Sequence, residues 1–62
     1  MKELNGFKVK DRVEVRDNVG AWWSGTIINI NDFREYPFCI DLDGNPVGAE
    51  IFVKADRLRK LV

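Results

Sequence analysis

The longest strand candidate in this chain reads AWWSGTIINI over residues 21–30. Its aromatic and β-branched side chains favour extended backbone, as in a strand. Neighbouring residues of a strand point to opposite faces, so one of Trp22 and Trp23 points inward and the other lies at or near the surface. A β-bulge near Gly25 would exchange the two faces further along the strand.

The segments on either side of this strand predict four further short strands, at residues 12–16, 36–42, 49–53 and 58–61. Turn-forming residues separate them, with DNVG at 17–20 and DGNP at 43–46. The segment KADR at 54–57 predicts one 3-10 turn before the last strand. Because an open sheet of this size would expose its edges and one face, we expect it to close. The prediction is an all-β fold, a small five-stranded barrel.

The length of 62 residues allows only one small core. We expect residues 1–6 to be a loosely ordered segment and residues 7–62 to form the barrel. The chain has one cysteine and no histidine, so it cannot close an internal disulfide and is poorly supplied with zinc ligands. We therefore predict no metal, no cofactor and no catalytic residue. The isolated Cys39 is expected to be a quiet residue on the surface or on the second face of its strand.

The charges are balanced overall but unevenly distributed along the chain. The net charge is zero, while residues 30–50 carry one base against five acids and residues 54–62 carry four bases against one acid. A zero net charge argues against general binding to polyanions. Residues 1–10 have no apolar core of a signal peptide, and no apolar run approaches the ~20 residues of a membrane span. These features predict an intracellular protein, cytoplasmic or nuclear, that is neither secreted nor in a membrane.

Four segments together resemble the SH3-like barrel superfamily, and most closely its Tudor and Agenet members. They are KVKDRVEV at 8–15, GAWW at 20–23, GTI at 25–27 and VKADRLR at 53–59. The similarity extends over roughly residues 7–61 and implies an SH3-like barrel that binds a protein or peptide partner. In such domains an aromatic cage holds a methylated lysine or arginine, because a methylated cation is attracted to the faces of the rings.

The resemblance implies a set of candidate ligand-binding residues. Trp23 matches an aromatic residue of the cage, and it is the tryptophan that we expect to be exposed, beside the small Gly25. A second wall would come from the loop at residues 31–36, and an acidic side chain would balance the charge of the ligand. The alternatives are that both tryptophans are packing residues and that the acids only keep the surface soluble. The candidates are Trp23, Tyr36, Phe33, Asp43 and Asp17.

Two further hypotheses belong to other functional classes. The segments GTI at 25–27 and YPF at 36–38 also resemble the small SH3-like subunit of photosystem I, which implies an accessory docking subunit of a larger redox or regulatory complex. The basic terminal strands could instead bind nucleic acid, because phosphate contacts need clustered lysine and arginine. The candidate residues for nucleic acid are Lys8, Lys10, Arg57, Arg59 and Lys60.

Overall fold

The computed structural model describes residues 3–44 and 50–61, and all its strands pair antiparallel. The end of the predicted turn at Asn45 and Pro46 and the start of the predicted strand at Ala49 lie outside the described residues. The strands are β1 (Glu3–Leu4), β2 (Phe7–Lys8), β3 (Arg12–Arg16), β4 (Trp22–Ile30), β5 (Phe38–Leu42), β6 (Glu50–Val53) and β7 (Leu58–Lys60).

Strands β3 to β7 form one five-stranded sheet in the order β6-β5-β4-β3-β7. The predicted 3-10 turn is confirmed at Ala55–Arg57, directly before β7. The described strands span 26 × 24 × 24 Å along the principal axes, so the sheet is strongly curled and not flat. It is not closed, because β6 and β7 are its two edges and pair with each other nowhere in residues 3–44 and 50–61. The all-β prediction is confirmed, and the closed barrel stays a prediction.

The curled sheet encloses a single apolar cluster contributed by four of its strands. Phe38, Ile27, Ile30 and Ile40 are fully buried, and Phe7 packs its ring edge-on against Phe38 at 5.6 Å between centroids. Both Ile27 and Ile30 face inward although they are three residues apart. A β-bulge between Ile27 and Asn29 explains this, since the extra residue exchanges the faces of the strand. The bulge lies a few residues beyond the predicted place near Gly25.

Gly25 lies opposite Leu42 where β4 pairs with β5. A Cβ at this position would lie 2.8 Å from the Asp41 carbonyl oxygen and 2.9 Å from Ile40 Cγ2. Only glycine leaves room for that approach. The absence of a side chain at Gly25 therefore allows β5 to approach β4 this closely.

Residues 3–8 form a hairpin, in a region where residues 1–6 were predicted to be loosely ordered. Glu3 pairs with Lys8 and Leu4 with Phe7, and the connecting Asn5 and Gly6 both have positive φ, at 54° and 83°. A two-residue Asn-Gly connection with positive φ at both positions is the preferred hairpin turn. The hairpin crosses the predicted boundary at residue 7, and Leu4 packs against the core. The looseness of residues 1–6 stays a prediction.

Candidate functional site

An open groove of about 570 Å³ lies beside the turn at residues 17–20 and the 3-10 turn. Three half-exposed aromatic side chains line it: Trp23, Tyr36 and Phe52, each between 50% and 53% exposed. Leu42 and Ile51 contribute further apolar lining. The sheet thus brings together aromatic residues that lie 13 to 29 positions apart in the sequence.

The two neighbouring tryptophans lie on opposite faces, and Trp23 is the exposed one, as predicted. Trp22 is half-buried on the other face, where the Arg59 guanidinium lies 3.8 Å from the centroid of its ring. Arg59 also donates to Glu14 Oε1 at 2.8 Å. The ring of Trp22 is therefore covered by Arg59 of β7, which Glu14 of β3 holds in place, while Trp23 is open to the groove.

Asp17 holds the indole of Trp23 in place. Its Oδ2 accepts a hydrogen bond from Trp23 Nε1 at 2.8 Å, and its Oδ1 accepts from the backbone N–H groups of Val19 and Ala21, both at 2.9 Å. The hydrogen bond from Trp23, with those from the turn amides, holds the pKa of Asp17 below its ordinary value. Asp17 therefore both caps the turn and presents a negative charge at the edge of the indole ring.

Of the other candidates, Tyr36 lies in the groove, whereas Phe33 and Asp43 are not among its lining residues. Phe33 is 80% exposed, and the Arg34 guanidinium lies 6.0 Å from its ring centroid. Asp43 accepts hydrogen bonds from the Arg12 guanidinium and from Ser24 Oγ at 3.1 Å. The hydrogen bond from Arg12 is the main reason that the pKa of Asp43 lies below its ordinary value. The structure therefore gives Asp43 a partner within the protein, outside the groove.

We expect the stability of the protein to fall in acid because of Asp17 and Asp43. Both carboxyl groups have lowered pKa values in the folded state, so their contribution is full above about pH 3.9, the usual value for aspartate. It is lost as the pH falls through the folded-state pKa values. Thermal unfolding between pH 6 and pH 2.5 measures this loss. The double variant Asp17→Asn, Asp43→Asn should show a flatter profile, and equal slopes would contradict the assignment.

Phe52 is a groove residue that the sequence analysis missed. It lies on the edge strand β6 between Ile51 and Val53, which both pack against the core, whereas Phe52 is 52% exposed. Alternation along the strand was the available signal, because it sends Phe52 away from its two apolar neighbours. The signal did not reveal that β6 would bring Phe52 beside Tyr36.

Charged side chains also line the groove, three basic and two acidic. Arg57 Nη1 donates to the Asp17 carbonyl oxygen at 3.1 Å and so ties the 3-10 turn to the turn at residues 17–20. Lys54 Nζ lies 5.4 Å from the centroid of the Tyr36 ring and 4.0 Å from Glu35 Oε1. The side chains of Arg16 and Asp56 make no hydrogen bond or ion pair with the described residues, although the Arg16 carbonyl oxygen accepts from Arg57 Nη1. The groove therefore combines aromatic faces with charges of both signs.

The five basic residues proposed to bind nucleic acid have different neighbours in the structure. Arg57 lies in the groove, Arg59 pairs with Glu14, and Lys60 Nζ lies 3.9 Å from Asp11 Oδ2. Lys8 and Lys10 are exposed on and after the N-terminal hairpin. Acidic partners therefore neutralise two of the five candidates.

Cys39 lies on the second face of β5, one of the two places predicted for it, and it is buried there rather than exposed, with 5% of its surface accessible. Phe38 and Ile40, its neighbours on β5, are also buried, so this strand is covered on both faces. Burial, followed by the charge of Glu50, raises the pKa of the Cys39 thiol. The thiol is therefore protonated at neutral pH, which makes it a poor nucleophile.

Comparisons with protein-family models, curated proteins and solved structures found no match to this chain. Within residues 3–44 and 50–61, no group of three or more histidine, cysteine or acidic side chains could hold a metal ion. None of the helical structure in those residues has the length and apolar character required to span a membrane. The candidate function therefore rests on the groove and on the sequence resemblance.

Proposed function

We propose that this protein is a non-catalytic, Tudor-like binding module that takes a segment of a partner protein into the aromatic groove. The ligand side chain is a methylated lysine or arginine, and it lies against Trp23 and Tyr36. One observation carries the proposal: two aromatic residues from different strands and loops line one groove, and an ionised carboxylate is bonded to one of them.

The physical argument for a cationic ligand rests on the two rings. The faces of indole and phenol rings carry negative charge density, and a cation near such a face is stabilised by about 0.5–2 kcal/mol. The carboxylate of Asp17 adds a full negative charge at the edge of the Trp23 ring. Tyr36 already attracts an ammonium group, that of Lys54. A methylated ammonium group loses its water more readily than an unmodified one, and it therefore gains more from the same rings.

The composition of the groove differs from the arrangement that the resemblance implies. In Tudor-like domains tyrosines commonly follow the third strand of the barrel, and here that place is taken by Asp41, Leu42 and Asp43. Phe52 on β6 supplies the third aromatic wall in our proposal, in place of Phe33. The proposal includes an SH3-like barrel, and the curled five-stranded sheet supports it. The absence of histidine and the protonated thiol support a role without catalysis.

Isothermal titration with short basic peptides tests the proposed function. Four versions of one peptide are compared, with unmodified lysine, trimethyl-lysine, unmodified arginine and dimethyl-arginine. We expect a methylated peptide to bind more tightly than its unmodified version by about tenfold, which corresponds to about 1.4 kcal/mol. Absence of binding by every methylated peptide at millimolar concentration would refute the proposal.

A second candidate function, an accessory docking subunit, is favoured by two apolar side chains outside the groove. Val19 is 88% exposed and Phe33 is 80% exposed, although both are large and hydrophobic. Burying such side chains against a partner would be favourable. Co-purification from the native source in a stable stoichiometric complex, sensitive to Val19→Ser and Phe33→Ser, would favour this function.

The nucleic-acid hypothesis predicts an affinity that falls steeply with salt concentration. We expect weak or no binding of DNA and RNA at 0.15 M salt, because Arg59 and Lys60 already have acidic partners. Fluorescence anisotropy with labelled oligonucleotides between about 0.05 and 0.2 M salt measures this. A salt-dependent affinity that drops in the variant Lys8→Gln, Lys10→Gln would restore the hypothesis.

A further inference from the structure

We infer that Lys54 is an internal competitor for the ligand cation and sets the affinity of the groove, an inference that rests on the proposed function. The Lys54 ammonium lies over the ring of Tyr36, one of the two rings proposed to hold the ligand. A ligand cation cannot approach that face of Tyr36 while Lys54 occupies it. Binding therefore requires Lys54 to move away.

The contacts of Lys54 are suited to reversible displacement. Its ammonium lies 5.4 Å from the Tyr36 ring centroid and 4.0 Å from Glu35 Oε1, and the side chains of Lys54 and Glu35 are 50% and 74% exposed. Exposed ion pairs at such distances hold weakly. Arg57, another basic residue of the groove, is instead held by the backbone carbonyl oxygens of Arg16 and Asp17. Lys54 is therefore the groove cation that can exchange with a ligand.

The place of Lys54 in the chain keeps it close to Tyr36. It follows β6 directly and precedes the 3-10 turn, so its backbone is held between two ordered elements. The competing ammonium is thus present at a high local concentration that does not depend on the concentration of the protein. A lysine in this position lowers the affinity for every cationic ligand by the same factor, so a ligand that binds the rings weakly fails to bind detectably.

Titration with tetramethylammonium chloride tests the inference, because this probe carries the methylated cation without a peptide. Binding is followed by two-dimensional NMR of the wild type and of Lys54→Gln, with equal concentrations of sodium chloride as the reference. We expect Lys54→Gln to bind the probe about two- to fivefold more tightly, the range set by one exposed cation–ring contact. The matched control is Arg16→Gln, which removes a groove charge that lies over no ring and so measures the general electrostatic effect.

The outcomes separate the inference from the proposed function. Tighter binding by Lys54→Gln than by Arg16→Gln supports the inference. Equal binding by wild type and Lys54→Gln overturns the inference and leaves the proposed function standing. No response of either protein to the probe overturns both, because then the rings hold no cation.

A second measurement reads the contact directly, without a ligand. The ring of Tyr36 should shift the Lys54 Hε protons to lower frequency, and Tyr36→Leu should remove that shift. Hε protons at their ordinary position in the folded wild type would overturn the inference, whatever the titration shows.

Discussion

Replacing Gly25 with alanine is expected to lower the free energy of unfolding by about 1–3 kcal/mol, the usual cost of overpacking a tight core. The added Cβ would lie 2.8 Å from the Asp41 carbonyl oxygen and 3.2 Å from Leu42 Cα, and both are backbone atoms. A flexible side chain could move aside, but the β5 backbone can move only by disturbing its pairing with β4 and β6. A domain of this size has little stability to lose, so a large unfolded fraction is expected.

Urea unfolding monitored by tryptophan fluorescence measures the effect of Gly25→Ala. Ile28→Ala is the matched control on the same strand, because Ile28 is 39% exposed and lies outside the apolar cluster. We expect the control to change the unfolding midpoint far less than Gly25→Ala does. A Gly25→Ala protein with the wild-type midpoint would mean that β4 and β5 do not approach as closely as the structure shows.

Replacing Trp23 with alanine is expected to weaken binding of a methylated peptide by about tenfold or more. The substitution removes one aromatic face of the groove and also releases Asp17 from its bond to the indole N–H. Trp23→Phe separates these two effects, since it keeps an aromatic face but loses the donor to Asp17. We expect its affinity to lie between those of the wild type and Trp23→Ala.

Two neighbouring substitutions serve as controls for Trp23→Ala. Trp22→Phe changes the tryptophan on the opposite face, beneath Arg59, and Val19→Ala changes an exposed side chain of the adjacent turn. Neither residue is among those that line the groove, so titration should find both variants with the wild-type affinity. If Trp22→Phe weakened binding as much as Trp23→Ala, the ligand would lie on the face opposite to the groove.

Sequence patterns predicted the strands well where the signal was local. Alternation at Arg12–Arg16 and the β-branched run ending at Ile30 correspond closely to β3 and β4. The 3-10 turn before the last strand was also predicted from four residues. These features depend on residues within a few positions of one another. Strand propensity and the preferences of turn residues are therefore sufficient to predict them.

The structure differs from the predictions made from the sequence at positions where contacts with distant segments determine the surroundings of a residue. Cys39 is buried because both faces of β5 are covered at this point, which alternation along the strand does not reveal. Asp43 was predicted at the ligand site, but it meets Arg12, 31 positions earlier in the chain. The Asn5-Gly6 hairpin carried a recognisable signal that was interpreted as a loose terminus. Its strands are only two residues long, and Leu4 of this hairpin packs against the core.

The sequence by itself determined that the protein is all-β, that Trp22 and Trp23 lie on opposite faces, and that turns occur at fixed places. The alternation of side chains and the preference for extended backbone are properties of neighbouring residues. They can therefore be derived for each strand separately, without knowledge of the other strands. Only the tertiary structure decided that Trp23, Tyr36 and Phe52 share one groove and that Lys54 lies over one of its rings. The order of the strands and the pairing of β5 with β4 and β6 place these residues together, and both depend on contacts between distant parts of the chain.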